Sequence, residues 1–220
     1  MRPKHVVFAF IAAMMAYVMY HNERFLVRPS DPAWAHYSKY GWWLVTHGVA
    51  GASALLLAPM QFSDRLRKRY TKLHRVTGWI YVVGALVLAP LGGYIQYMAE
   101  GLEGGPRSFT LLAVTDAAML SVATLIALVF AVRRRITQHR QWMTRSYAIA
   151  LVFFEGRLIL GVTGLETAGV EIVQAVIWSC LAASVLLADI AIDAHEIRLA
   201  ATAGARVRAG AAVAAKAGLV

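Results

Sequence analysis

Two histidines open the same phrase twice. His74 stands in KLHRVTGWIYV, which begins at Lys72, and His139 stands in QHRQWMTRSYAI, which begins at Gln138. Each is followed by Arg and sits between a basic run and an apolar run. Two imidazoles on facing helices are what holds a b-type haem in a helical bundle, with the porphyrin in the apolar interior. Arg75, Arg140 and Arg145 are placed to pair with propionates. Gly78, one turn beyond His74, would leave room for a flat macrocycle, and Trp142 and Met143 would pack it. The same residues suit other chemistry. His beside Arg at a helix end binds lipid phosphate or caps the helix, and a metal or a quinone would use the same side chains.

A second set of ionisable residues lies inside apolar runs: His47, Asp116, Glu155 and Arg157. At 1.5 Å of rise per residue, His47, Asp116 and Arg157 fall about 9–10 Å inside the membrane, and Glu155 slightly deeper. Unpaired Asp or Arg at such depth costs at least ~2.5 kcal/mol, so these groups should face the interior and find partners. Glu155 and Arg157 are two residues apart and cannot share a helix face. Arg157 is therefore expected to pair with Asp116, with His47 nearby, and Glu155 to need another partner. Such a buried polar site would serve as a proton relay, a substrate pocket or a quinone-head site. An inert interhelical clamp has the same composition.

These residues need elements to position them. The chain has 220 residues, 59% hydrophobic and 15% charged, against about one quarter charged in soluble domains. Six apolar runs are read as membrane helices, roughly 6–20, 40–61, 76–98, 109–132, 146–163 and 172–192. Most reach the ~30 Å of a hydrocarbon core. The first is short and resembles a signal peptide, but has no clear small-residue cleavage site, so it is taken as an uncleaved anchor. Arginines and lysines crowd 63–75 and 133–145, whereas the alternate loops carry Glu100, Glu103, Glu166 and Glu171. The positive-inside rule then places both basic loops, the N-terminus and the C-terminal tail in the cytoplasm.

The expected architecture is all-α and integral to the membrane. The membrane domain covers 1–198. Spans two to five (40–163) form a four-helix core, and spans one and six pack outside it. In that arrangement spans three and five lie on a diagonal, bringing His74 and His139 in from the same side. The basic Ala/Gly-rich tail, 199–220, is expected to be disordered or a weak interfacial helix. The small-residue runs Gly48–Ala54 and Gly84–Ala85 are expected to pack closely. The formal charge of +10 lies in short loops beside apolar runs, which fits topology and anionic lipid rather than nucleic acid. Cys180 is alone, so no disulfide framework exists. Asp189, Asp193 and His195 read as a solvated helix end rather than a metal site. No nucleotide fingerprint, thiol pair or nucleophilic triad assigns a reaction.

The pieces THGVAGASALLLAPMQF, LHRVTGWIYV and QHRQWMTRSYAIA, with the later Arg157, resemble the domain-of-unknown-function 2306 family of bacterial multi-pass membrane proteins. The matching positions include His47, Pro59, Gln61, His74, Arg75, Gly78, Tyr81, His139, Arg140, Trp142, Arg145 and Arg157. The resemblance implies a bacterial inner-membrane protein and supplies no activity.

Two functions follow from the residues. One is a small electron-transfer protein with haem b between His74 and His139, exchanging electrons with quinone or a membrane redox partner. The other is a cofactor-free carrier or accessory subunit that uses His47, Asp116 and Arg157.

Overall fold

The structure, a computed structural model, describes residues 3–104 and 107–216. Every regular element among them is helical. Helix α1 (Pro3–His21) leads through a 3-10 turn (Arg24–Val27) to the short α2 (Ala33–Tyr37). Then come α3 (Gly41–Gln61), α4 (Asp64–Arg69), α5 (Thr71–Glu103), α6 (Ser108–Val132) and α7 (Ile136–Thr163). A second 3-10 turn (Leu165–Thr167) precedes α8 (Val170–Lys216).

Among the described residues five helices are long and apolar enough to cross a membrane: Gly41–Gln61, Thr71–Leu102, Ser108–Val132, Ile136–Thr163 and Val170–Ala205. The first apolar run is helical but falls in a shorter class, over His5–His21. Helices α5 and α7 begin earlier than the apolar runs at 76 and 146. Lys, Leu, Arg and Gln in their first turns are good helix formers, so the helix starts before the hydrophobicity does. His74 and His139 are therefore each the fourth residue of a helix. Both helices stop at a left-handed glycine, Gly104 (φ 69°) after α5 and Gly164 (φ 71°) after α7. A residue without Cβ adopts that conformation freely.

Helix α3 packs on α5, α5 on α6 and α6 on α7, and α7 returns to touch α3. This closes a ring of four, with α5 and α7 across it from one another. Helix α8 lies against α7 and α6, and α1 lies against α7. The small-residue runs face each other at the α3–α5 seam. A Cβ on Gly84 would stand 2.9 Å from the Ala50 carbonyl oxygen and 2.6 Å from Ser53 Oγ. Across the middle of the ring, Ser146 Oγ lies 2.6 Å from Tyr81 Oη and 2.8 Å from Thr124 Oγ1, joining α7 to α5 and α6. All three residues are buried.

Helix α8 runs on from 199 to 216, where disorder or a weak interfacial helix was expected from composition. The remaining tail residues, 217–220, lie outside the described residues, as does the side chain of Glu103.

Candidate functional site

At the basic end of the ring a cavity of about 1320 Å³ opens between the helix ends. Helix side chains lean toward the N-terminus, so residues in the first turns of α5 and α7 project into this end. His74, Arg75, His139 and Arg140 all line it. Phe8 from α1, Trp79 and Val82 from α5, and Leu128 from α6 give it an apolar wall. Arg67 is tied to Asp64 at 2.9 Å. Among the described residues, neither Arg75 nor Arg140 has a carboxylate within 4.0 Å.

Each imidazole is held through Nδ1. His139 Nδ1 lies 2.8 Å from the Ala127 carbonyl oxygen near the end of α6. A carbonyl can only accept, so the neutral ring donates from Nδ1 and leaves a lone pair on Nε2. His74 Nδ1 lies 3.1 Å from the side-chain amide of Gln61, the last residue of α3. Gln61 Nε2 donates to Thr77 Oγ1 at 2.5 Å, and that hydroxyl donates in turn to the Leu73 carbonyl oxygen at 2.8 Å.

Several expectations are corrected here. The face of Gly78 is occupied by Gln61, whose amide would meet a Cβ there at 3.3 Å. Trp142 does not line the cavity, although Met143 does. Arg145 is engaged by Asp189 at 2.8 Å and lies 5.0 Å from the Trp142 ring centre, so it has left the propionate position. The bis-His haem draws no support from this arrangement, since Gln61 fills the face kept for the ring and Arg145 is engaged elsewhere. No group of three or more His, Cys, Asp or Glu side chains is placed to hold a metal among the described residues.

The polar residues toward the other end are dispersed rather than gathered. Arg157 pairs with Glu23, in the turn after α1, and not with Asp116. Its side chain is 44% exposed. His47 Nδ1 meets the Leu88 carbonyl oxygen at 3.0 Å, and a Cβ on Gly92 would stand 3.1 Å from its ring. Glu155 accepts from Ser184 Oγ at 2.6 Å, across α7 and α8. Asp116 is 7% exposed, and its Oδ1 has no hydrogen-bond partner among the described residues.

Residues not singled out for a role from the sequence include Gln61, Thr77, Glu23 and Ser184. Gln61 was legible only as a position matching the family. Its contact with Thr77 joins two helices and leaves no periodic trace.

A comparison with family models matches residues 44–192 to a family described as predicted membrane protein, domain of unknown function 2306. The match takes in both histidines of the cavity and ends within α8. No curated protein and no solved structure matches.

Proposed function

We propose that this chain, which belongs to the domain-of-unknown-function 2306 family of predicted membrane proteins, binds an amphipathic anion in the cavity at its basic end. We take it to span the bacterial inner membrane six times, α1 included, with that end in the cytoplasm. The basic loops carry this orientation through the positive-inside rule.

A single observation carries the binding function. Among the described residues Arg75 and Arg140 have no carboxylate within 4.0 Å, and they line a cavity in which arginines outnumber the carboxylates Asp64 and Glu196 and which also has an apolar wall. Arginine at the headgroup level attracts anionic lipid and grips phosphate through a fixed fork of donors. An apolar tail would then lie along Phe8, Trp79 and Leu128. A neutral quinone head would leave both guanidinium groups without counter-charge. The carrier function built on His47, Asp116 and Arg157 loses its premise, since His47 and Arg157 have gone to separate partners and neither meets Asp116.

Thermal unfolding in non-ionic detergent tests this. Phosphatidylglycerol should raise Tm and phosphatidylcholine should not, because a ligand stabilises only the state that binds it. The rise should vanish in Arg75→Gln/Arg140→Gln. Equal responses to the two lipids would reject an anion site. A Soret band in the purified, haem-replete protein, lost in His139→Ala, would reject it in favour of haem.

A further inference from the structure

Helix α6 ends in a turn that asks for glycine and holds arginine. The Arg134 N–H donates to the Ala131 carbonyl oxygen at 3.0 Å, and the Arg135 N–H donates to the Phe130 carbonyl oxygen at 2.9 Å. That pair of bonds closes a helix on one left-handed residue, and glycine is the usual choice because it has no Cβ to clash. Here the residue is Arg134, with φ 58°. Among the described residues the other positive φ values belong to Gly104, Gly164 and Gly169. Gly104 and Gly164 end α5 and α7, at the opposite end of the ring.

Three consecutive arginines run through this turn, and they differ. Arg133 (φ −76°) and Arg135 (φ −85°) lie on ordinary backbone. Arg134 lines the basic-end cavity together with Arg75 and Arg140, and neither of its neighbours does. The residue on the unfavourable backbone is thus the one that reaches the cavity. Membrane orientation does not require it there, since the positive-inside rule counts basic residues wherever they fall in a short loop. A glycine between Arg133 and Arg135 would relax the turn and keep the loop basic. Backbone strain of this kind persists where the side chain has a use.

We infer that Arg134 is a third anion-binding residue of the cavity, kept at a position where glycine would be more stable because its guanidinium grips the ligand phosphate. This rests on the anion site proposed above and names a residue that sets its affinity. Arginine suits the task because its planar fork of donors matches phosphate oxygens. One turn thereby does two jobs. It ends α6 and leads into α7, and it sets a cation in the cavity wall. The inference carries a signature that a purely structural role would lack: loss of the side chain should stabilise the empty protein and weaken its ligand.

Both effects can be read on the full chain in non-ionic detergent at about 0.15 M salt, where exposed charges beyond about 8 Å are screened. Without added lipid, Arg134→Gly should raise Tm by about 2–4 °C. By native mass spectrometry the same variant should bind phosphatidylglycerol about threefold to tenfold more weakly, the worth of one hydrogen-bonded contact. Arg134→Asn should give the same two signs, because Asn also tolerates the left-handed region. Arg133→Gly removes an equal charge from ordinary backbone and should give neither. Unchanged phosphatidylglycerol binding in both Arg134 variants, or an equal loss in Arg133→Gly, would overturn the assignment and leave the anion site standing. A Tm that rises in neither Arg134 variant, or rises as much in Arg133→Gly, would overturn it too. Phosphatidylcholine binding the unaltered protein as well as phosphatidylglycerol would overturn the anion site itself. Inorganic phosphate displacing phosphatidylglycerol would make a free anion the ligand and overturn the lipid.

Discussion

Arg157 illustrates how a single residue can be assigned the right need and the wrong partner. Depth in the membrane demands a counter-charge, and the sequence offers Asp116 on the neighbouring helix. The chain instead folds its 21–39 segment back so that Glu23 meets Arg157. Nothing in the spacing of Glu23 announces this, because it lies in a turn and not on a periodic face. The pairing makes a prediction at the same scale. In a double-mutant cycle, Arg157→Gln and Glu23→Gln should be non-additive in thermal stability, with a coupling of about 0.5–3 kcal/mol. Arg157→Gln and Asp116→Asn should add independently. Additive losses in the first cycle and coupling in the second would restore the Asp116 pairing. His74 and His139 show the opposite case, since residue type and boundary position alone place them at one site. What holds them is not legible in the sequence: His139 Nδ1 meets the Ala127 carbonyl oxygen and His74 Nδ1 the side-chain amide of Gln61, and both partners come from other helices.

At the scale of the element, the seam between α3 and α5 decides how closely the first hairpin closes. Two runs of small residues let the backbones approach, and Gly84 is the point of nearest contact. Gly84→Val would drive a branched side chain into the Ala50 carbonyl, which is backbone and cannot yield. It should cost about 1–3 kcal/mol of stability through forced repacking. Gly48→Ala is the control, since the nearest atom to its Cβ would be Leu26 Cδ1 at 3.6 Å. Thermal unfolding of the two variants should separate them clearly; equal losses would mean the seam is not the limiting contact. Composition made this seam legible, because runs of Gly, Ala and Ser in an apolar helix have few other uses. It did not make the starts of α5 and α7 legible. Hydropathy marks where lipid contact begins, whereas the helix begins with good helix formers one to three turns earlier. That offset matters to the site, because it puts both histidines inside a helix and fixes the direction in which they lean.

For the whole molecule, the open question is which way the bundle lies and whether α1 crosses. A ring of four helices with α1 and α8 on the outside suits either direction equally, so packing is silent. The charge distribution is not. Arg133, Arg134 and Arg135 join α6 to α7, while Glu166 lies in the 3-10 turn at the far end of α7. The buried Cys180 is the sole cysteine, so Cys180→Ser gives a clean background for single reporters. In right-side-out vesicles, Thr167→Cys should react with a membrane-impermeant maleimide and Arg134→Cys should react only after permeabilisation. His5→Cys should behave like Arg134→Cys if α1 crosses, and like Thr167→Cys if it returns along the outer surface. The reverse pattern for positions 134 and 167 would invert the molecule. It would also place the arginine-rimmed cavity against the outer leaflet, where the cytoplasmic lipid charge invoked for it would be absent.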